Sequence, residues 1–313
     1  MISIIVVNWN SGRQLYDLVH SIVKYHNNVV DSLIIIDNAS FDDSLPGIEG
    51  ISEVPFGLRL IQNKRNWGFA AACNQGAALA DSDYLLFLNP DTRLFNDSLQ
   101  VAVKFMEETE NVDIAIAGVQ LVNENNEIAR SCSRFPSLGI FCAKSLGLNR
   151  LPSCWRLSQR MREWEHNVTR QVDQVMGAFF LIRRSVFETM GGFDQRFFMY
   201  FEEVDLSLRA RDAGWGSIFI AEAQAFHAGG GCSRQVMPYR LFYSLRSRLL
   251  FGFKHFGILE VLLLVVVTLG LESISRLILG FRQGSLTDVR NTLEAYRMLY
   301  LDLPNVLQKA VHR

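Results

Sequence analysis

The strongest constraint on the fold is an alternation of mostly apolar runs and helical periodicity over the first hundred residues. The first apolar run, Ile2–Asn8, ends at an asparagine. Leu15–Lys24 then repeats apolar residues at helical spacing, and similar apolar runs follow at Ser32–Asp37, Leu58–Asn63 and Tyr84–Leu88. An apolar run without polar alternation is typical of a strand that is covered on both faces. This order predicts an α/β fold with an open, mostly parallel sheet and flanking helices.

Polar residues follow each of these strand-like runs. They include Asn8 and Asn10 after the first run, Asp37 at the end of the second, and Asn89 and Asp91 after the fourth. In open α/β sheets the ligand crevice lies beyond the carboxyl ends of the strands, so these side chains predict a binding site. The residues after the first run match neither a dinucleotide-binding G-x-G-x-x-G nor a P-loop, which argues against both kinds of site.

Composition narrows the function classes. The 313 residues are 49% hydrophobic, enough for a substantial core, and carry 31 basic against 32 acidic side chains. A net charge of −1 gives no support for nucleic-acid binding, so we expect no nucleic-acid partner. The five cysteines form no C-x-x-C pair and are typical of reduced intracellular thiols. The N-terminus lacks a basic segment and a cleavage site, so we expect the active part in the cytoplasm.

Several segments together resemble the inverting nucleotide-sugar transferases of glycosyltransferase family two, which have the GT-A fold. In chain order they are Ser3–Asn10, Asp37–Ser40, Asn66–Asn74, Asn89–Thr92, Gly191–Asp194, Phe198–Leu206 and His227 with its following glycines. The third and fourth segments resemble the branch that contains bacterial rhamnosyltransferases. The resemblance covers about residues 1–255. It implies a GT-A-like sheet and an activated sugar as the donor.

The resemblance implies a binding site for the nucleotide-sugar donor, and Asn8 and Asn10 belong to that site. Asp37 would accept a hydrogen bond from the imide N–H of uracil or thymine, which favours a UDP- or dTDP-linked donor; a turn-forming aspartate is the alternative. Asn66, Gly68 and Asn74 open a predicted helix, Ala70–Ala80, whose N-terminus favours a diphosphate. Tight packing of its small residues on the sheet is a second interpretation, and both can hold together.

A divalent metal, Mg²⁺ or Mn²⁺, is the predicted cofactor. Asn89-Pro90-Asp91 stands where the family has D-x-D, with asparagine in place of the first aspartate, so Asp91 is the predicted ligand. His227 follows a predicted strand at Ser217–Ala221, and the resemblance implies that it supplies a second metal contact. A lone histidine is as often structural. A plain β-turn is the alternative for Asn89–Asp91. A glycine loop, Gly229–Gly231, would close over the phosphates, and Arg234 would contact them.

Three acidic residues, Glu202, Glu203 and Asp205, precede a predicted helix. The family's base, the second residue of its Glu-Asp pair, falls on Glu203, with Glu202 as the rival. Proximity to each other and to the aromatic run Phe197–Phe201 predicts raised carboxyl pKa values. Simple helix capping is the alternative, and Asp205 is spaced to pair with a residue one turn on, Arg209.

From Tyr239 the chain mixes basic and aromatic residues, as interfacial helices do, and Val261–Leu271 is almost wholly apolar. This run is too short for a full span, so we expect a monotopic or re-entrant anchor, with a core helix or a true span as alternatives. A final amphipathic helix is expected after Gly284. The expected domains are a transferase domain over 1–238 and a membrane-associating helical region over 239–313.

Taken with the resemblance, these features imply transfer of a sugar to an acceptor hydroxyl by a metal-assisted single displacement with inversion. The favoured donor is dTDP-rhamnose, and the favoured acceptor is a saccharide or lipid-linked saccharide in surface-polysaccharide assembly at the inner face of the cell membrane. A UDP-dependent hexosyl or galactofuranosyl transferase and a catalytically silent scaffold are the alternatives. A sugar-1-phosphate nucleotidyltransferase would need a glycine-rich basic loop, which Asn8–Arg13 does not supply.

Overall fold

The computed structural model describes residues 1–49, 51, 54–229 and 236–311 and divides into two compact units. The first unit comprises Met1–Ser133, Trp164–Gln195 and Glu202–Cys232. The second comprises Arg134–Glu163, Arg196–Phe201 and Ser233–Arg313. This division differs from the expected boundary after residue 238, because the second unit also takes two earlier segments of the chain.

The strands lie in the first unit. They are β1 (Ile2–Asn8), β2 (Val30–Asp37), β3 (Gly57–Gln62), β4 (Tyr84–Leu88), β5 (Thr92–Leu94), β6 (Ile114–Val122), β7 (Ile128–Ala129), β8 (Cys132–Ser133), β9 (Arg170–Val172), β10 (Gln174–Val175), β11 (Phe179–Arg183) and β12 (Gly216–His227). The main sheet has the order β3-β2-β1-β4-β11-β6-β12-β5, with β7 beside β6 and β9 beside β12. Strands β8 and β10 form a separate antiparallel pair.

The sheet is mixed rather than mostly parallel. Strands β1 to β4 are parallel to one another, as the sequence predicts. Strand β11 is antiparallel to both β4 and β6, while β12 is parallel to β6 and antiparallel to β5. The crevice at the carboxyl ends of the strands therefore lies in the parallel half, β1 to β4. The remaining strands bring β5 and β12 into the same sheet.

The helices are α1 (Arg13–Tyr25), α2 (Pro46–Glu49), α3 (Phe69–Ala77), α4 (Ser98–Glu107), α5 (Leu138–Ser145), α6 (Arg184–Thr189), α7 (Glu202–Asp212), α8 (Met237–His255), α9 (Ile258–Val266), α10 (Glu272–Arg282) and α11 (Leu286–Val311). Short 3-10 turns lie at Thr109–Asn111, Leu148–Arg150 and Pro152–Leu157, and a π-helical turn, Val267–Leu271, joins α9 to α10. The helices predicted at Leu15–Lys24 and Ala70–Ala80 correspond to α1 and α3 to within a few residues, and α7 and α11 lie where further helices were predicted.

Helix α3 lies tightly on the sheet. A methyl group at Gly76 would stand 2.6 Å from Ile5 Cγ2 of β1, and Ala70 and Ala72 are fully buried. Any larger side chain at Gly76 would push the helix away from the strand. Close packing of the small residues is thus part of the explanation for their presence.

The second unit contains helices α5 and α8 to α11. Helix α8 packs against α9 and α11, and α11 also packs against α10. Tyr296 of α11 donates a hydrogen bond to the Thr268 carbonyl of the π-helical turn (3.0 Å). Within the described residues, one helical run, Ile258–Arg282, is long and apolar enough to cross a membrane, and its most apolar window has a mean hydropathy of 2.2. Only 28% of its most apolar window is buried, which disfavours a core helix.

Candidate active site

The carboxylate of Asp37, at the end of β2, is held in place by its neighbours. It accepts hydrogen bonds from the Asn8 side-chain amide (2.7 Å) and from the Ser40 backbone N–H (3.1 Å). Asn8 is fully buried and donates a further bond to Ser44 Oγ (2.8 Å). Asn8 and Asp37 are paired at the carboxyl ends of β1 and β2, and Asn8 therefore orients Asp37 from within the protein.

The turn after Asp37 is fastened to the end of β1. The Asn10 backbone N–H donates to Ser40 Oγ (3.0 Å), and Asn10 Oδ1 accepts a hydrogen bond from the Phe41 N–H (2.9 Å). Asn10 and Ala39 both adopt left-handed backbone conformations, with φ of 51° and 62°. Such conformations are costly for residues other than glycine and persist where the surroundings enforce them, as these bonds do.

The entry to α3 lies beside the same turn. Asn38 donates from its side chain to the Gly68 carbonyl (3.2 Å), and the Gly68 N–H donates to Asn66 Oδ1 (2.9 Å). Gly68 has a φ of 89°, which a side chain would strain. The predicted donor-site residues Asn66 and Gly68 thus shape the N-terminus of α3 next to the end of β2.

Asn74, predicted to bind the donor, joins α3 to a distant loop. Its amide donates to the Phe193 carbonyl (2.7 Å), and its oxygen accepts from the Phe193 N–H (2.9 Å). A methyl group at Gly192 would approach Asn74 Oδ1 to 2.7 Å, and Gly192 has a φ of 72°. Both ends of the Asn74 amide therefore hold the Gly191–Asp194 segment against α3.

The sheet brings Asp91 and His227 together. Strand β5 pairs with the end of β12, so that Thr92 lies opposite His227. His227 Nε2 lies 3.4 Å from Asp91 Oδ1, and both side chains are largely buried. His227 ends β12, which is longer than the predicted strand at Ser217–Ala221.

The β-turn interpretation of Asn89–Asp91 also holds, because the Thr92 N–H donates to the Asn89 carbonyl (3.2 Å).

The Asp91 carboxylate and the His227 imidazole fit a divalent cation whose remaining coordination positions are filled by a bound ligand. Carboxylate oxygen and imidazole nitrogen suit Mg²⁺ or Mn²⁺, which commonly complete their coordination with substrate phosphates. Across the described ranges, no group of three or more potential metal-ligating side chains occurs. A cation here would therefore depend on the phosphates of a bound nucleotide.

The predicted acidic cluster opens α7. Glu202 is 5% exposed, and burial, followed by repulsion from Glu203, raises its pKa well above the usual value. Asp205 is fully buried and pairs with Arg209 at 2.8 Å, which confirms the predicted i, i+4 contact. The two residues before Glu202 have left-handed φ values of 66° and 71°, so the backbone enters this helix in a strained conformation.

Glu203 lies at the same sheet edge as the Asn89–Asp91 turn. A methyl group at Gly177 would lie 3.8 Å from Glu203 Cγ, and the next residue, Ala178, accepts a hydrogen bond from the Asn89 N–H (3.1 Å). Glu203 is partly exposed, whereas Glu202 is buried. Sequence reasoning missed Gly177, although a glycine directly before an apolar strand is a signal of close backbone approach.

Glu202 also lies near α3. The pKa of the buried Cys73 thiol on α3 is raised, first by burial and then by the nearby Glu202 carboxyl. One edge of the first unit thus gathers the Asp37 turn, the start of α3, the Asp91–His227 pair and the α7 carboxyls. The predicted glycine loop beyond Gly229 and the predicted phosphate contact at Arg234 lie outside the described residues.

The sequence model described as Glycosyl transferase family 2 matches residues 3–191, more than half of the chain. The chain belongs to glycosyl transferase family 2. This confirms the family resemblance and the expectation that the protein is an enzyme, a glycosyltransferase. The matched residues include the Asp37 turn, α3 and the Asn89–Asp91 turn.

Individual relatives agree with this assignment. An N-acetylglucosaminyl-diphospho-decaprenol L-rhamnosyltransferase of Mycobacterium tuberculosis is 26% identical over 241 residues, which cover 72% of this chain and 76% of that protein. Rhamnosyltransferase WbbL of Escherichia coli is 34% identical over 152 residues, 48% of this chain and 52% of that protein. Both are similar to this glycosyltransferase in sequence.

A solved structure confirms the fold. The mannosyltransferase PcManGT from Pyrobaculum calidifontis, in complex with GDP-Man and Mn²⁺, superposes with a TM-score of 0.56. The match covers 99% of this chain and 85% of that chain at 13% identity. At this identity the similarity establishes the shared GT-A-like architecture.

Proposed function

We propose that this glycosyltransferase transfers L-rhamnose from dTDP-rhamnose to a hydroxyl of a lipid-linked saccharide, with inversion at the anomeric carbon. The observation that carries the proposal is the placement of Asp37, the Asp91–His227 pair and Glu203 along one edge of one sheet. The two similar rhamnosyltransferases support the choice of sugar. The name of the mycobacterial relative includes a diphospho-lipid acceptor, which supports the acceptor class.

Glu203 serves as the base in this proposal. It accepts the proton of the acceptor hydroxyl while that oxygen bonds to the anomeric carbon and the bond from carbon to the diphosphate oxygen breaks on the opposite face. Glu203 is the more accessible acid of the pair, so it can reach an acceptor. Burial and then repulsion from Glu203 raise the pKa of Glu202, which favours the protonated form of Glu202 and makes it the weaker candidate for the base.

The donor site uses the end of β2 and the start of α3. Asp37, oriented by Asn8, would accept a hydrogen bond from the imide N–H of thymine, and uracil offers the same group. The N-terminus of α3 would face the diphosphate, since backbone N–H groups and the helix dipole favour negative charge there.

Asp91 and His227 would hold the divalent cation. A bound Mg²⁺ or Mn²⁺ supplies positive charge that stabilises the departing diphosphate. The Mn²⁺ in the complex of the similar mannosyltransferase supports this assignment.

The helical second unit would rest on the cytoplasmic face of the membrane. Large apolar side chains are exposed along the run Ile258–Arg282, namely Ile258, Leu259, Leu262, Leu263, Val266, Leu271, Ile274, Ile278 and Phe281. An apolar surface of this extent is rare on proteins that contact only water. Exchange of Leu259 and Leu263 for serine should weaken sedimentation with phospholipid vesicles, and unchanged sedimentation would contradict this placement.

Thermal stabilisation of the purified full chain by nucleoside diphosphates tests the donor site. We expect dTDP or UDP with Mn²⁺ to raise Tm, and Asp91→Ala to abolish that rise. Asp81→Ala, which changes an exposed aspartate of the same unit, should retain it. A preference for GDP or ADP, or stabilisation that is independent of both metal and Asp91, would contradict the proposed donor site.

A further inference from the structure

A buried carboxylate in the second unit is surrounded by cations. Glu272 of α10 is 2% exposed and accepts hydrogen bonds from Arg276 Nη2 (2.7 Å), Arg276 Nε (2.9 Å) and Ser145 Oγ (3.3 Å). It also pairs closely with Arg248, which is 1% exposed. Burial alone would raise the pKa of Glu272, but Arg248, Arg276 and Lys144 outweigh it and lower that pKa to about 2. Glu272 is therefore ionised.

The cations around Glu272 outnumber it. Lys144 of α5 lies within electrostatic reach of Arg160, Arg248, Arg276 and Glu272, which makes four cations and one carboxylate. Arg160 is in turn close to Arg162 and Arg240. Because Arg248 and Arg276 already share the single charge of Glu272, the cluster has a net positive charge.

Two of these cations are available to a ligand. Lys144 and Arg160 are both exposed, and neither side chain has a hydrogen bond or an ion pair with any residue that the structure describes. Desolvation by the surrounding protein and then repulsion from Arg248 lower the pKa of Lys144 to about 8, although part of the side chain remains at the surface. Uncompensated like charges held this close are unfavourable, and a bound anion would relieve the repulsion.

The surroundings indicate which anion fits. Arg276 lies on α10 together with the exposed apolar side chains Ile274, Ile278 and Phe281. Cations that adjoin an exposed apolar helix match a phosphate that carries a hydrocarbon chain, as basic pockets beside membrane helices do. A nucleotide has no such chain.

We propose that Lys144 and Arg160 bind the diphosphate of a polyprenyl-diphosphate-linked acceptor saccharide, with Arg248 and Arg276 supplying further positive potential. The inference rests on the proposed function in one respect, namely that the acceptor is lipid-linked. It assigns recognition of the acceptor's diphosphate to the second unit, whereas the donor's diphosphate is assigned to the first.

A comparison of two acceptors tests the assignment. Transfer is measured to the diphosphate-linked saccharide and to an uncharged alkyl glycoside of the same saccharide. The double variant Lys144→Ala, Arg160→Ala should raise KM for the diphosphate acceptor at least about 100-fold, since the loss of each charged hydrogen bond weakens binding about tenfold or more. KM for the alkyl glycoside and kcat for both should stay unchanged. Equal changes for both acceptors, or no change for either, would overturn the proposal.

A matched control keeps the charge change constant. Arg290→Ala with Arg297→Ala removes two exposed cations from α11 of the same unit and should leave both KM values unaltered. Lys144→Arg should rescue binding and retain it at pH 9, where the wild-type lysine, with a pKa of about 8, has lost most of its charge. Loss of binding at pH 9 in Lys144→Arg as well would contradict a role for the Lys144 charge.

Vesicle binding separates this inference from the proposed function. Zwitterionic vesicles that contain polyprenyl diphosphate should bind the wild-type chain more tightly than vesicles with equal charge from phosphatidylglycerol. The Lys144→Ala, Arg160→Ala variant should lose that difference. Equal binding of the wild type to both would show attraction to anionic lipid in general and overturn the proposal. Selective binding without any sugar transfer would instead contradict the proposed function alone.

Discussion

Glu202 of the first unit and Glu272 of the second are both buried carboxyls at the first position of a helix, yet their pKa values move in opposite directions. Burial raises both pKa values. Around Glu202 the nearest charges are the carboxyls of Glu203 and Asp205, which add to that effect. Around Glu272 they are Arg248, Arg276 and Lys144, which reverse it.

The difference distinguishes a carboxyl that suits proton transfer from one that stabilises the fold. Neighbouring carboxyls favour the protonated form of a carboxyl at a cost in stability, an arrangement that suits proton transfer. A carboxylate among guanidinium groups is permanently ionised and fixes its helix to its neighbours. Substitutions at Glu203, Glu272 and Glu202 test this contrast.

The largest expected effect is on transfer by Glu203→Gln. Loss of the base should lower kcat about 10²- to 10⁴-fold, because that is the usual contribution of a positioned general base. Glu202→Gln should cost much less, since burial and repulsion from Glu203 raise the pKa of Glu202 and favour its protonated form. Steady-state kinetics with the lipid-linked acceptor would check both, with Asp212→Asn at the exposed end of α7 as the control. A larger loss in Glu202→Gln would reverse the assignment of the base.

Glu272→Gln should lower the free energy of unfolding by about 3–5 kcal/mol, because it leaves Arg248 buried without its counter-charge. The folded pKa of about 2 lies below the usual 4.5, so the carboxylate stabilises the fold above pH 4.5 and that contribution is lost as pH falls toward 2. Denaturant unfolding at several pH values would measure this loss.

Two further variants control the stability measurement. Glu294→Gln, an exposed change on α11, should alter unfolding little. Replacing both partners, Arg248→Met with Glu272→Leu, should recover most of the loss because no isolated charge remains. Failure of the paired variant to recover stability would show that shape rather than charge dominates this site.

The smallest expected effect is a stability gain in Glu202→Gln. The folded pKa of Glu202 is raised, so its carboxyl favours the fold fully below pH 4.5 and loses that benefit as pH rises through the folded pKa. Glutamine does not titrate, and the variant should exceed the wild type by about 1 kcal/mol at neutral pH, the scale of one unsatisfied buried group. If the difference in Tm between Glu202→Gln and the wild type were constant from pH 4 to pH 8, it would contradict the raised pKa of Glu202.

Local patterns predicted the parallel half of the sheet well. The apolar runs at β1 and β4 have the bounds predicted, because strands covered on both faces need no polar alternation. Strand β12 was predicted too short, ending at Ala221. Its register with β6 shifts between Ile220 and Gln224, and this irregularity interrupts the pattern on which the prediction depended.

Contacts distant in sequence could not be predicted in the same way. Asn74 looks like a donor-binding residue in its own segment, but its amide is bonded to Phe193, 119 residues away. The segment Arg134–Glu163 carries no motif, yet it belongs to the second unit and contributes Lys144 and Arg160 to the cation cluster.

The sequence alone predicts the strands of the parallel half, several of the helices, the polar residues that end those strands and the family that the chain resembles. These features depend on the spacing of neighbouring residues. The tertiary structure is needed to show that Asp91 lies beside His227, that Asn8 orients Asp37, and that Glu202 and Glu272 have opposite pKa shifts. Hydrogen bonds and electrostatic interactions depend on distances of a few ångströms between atoms, and the fold sets those distances between residues far apart in the chain.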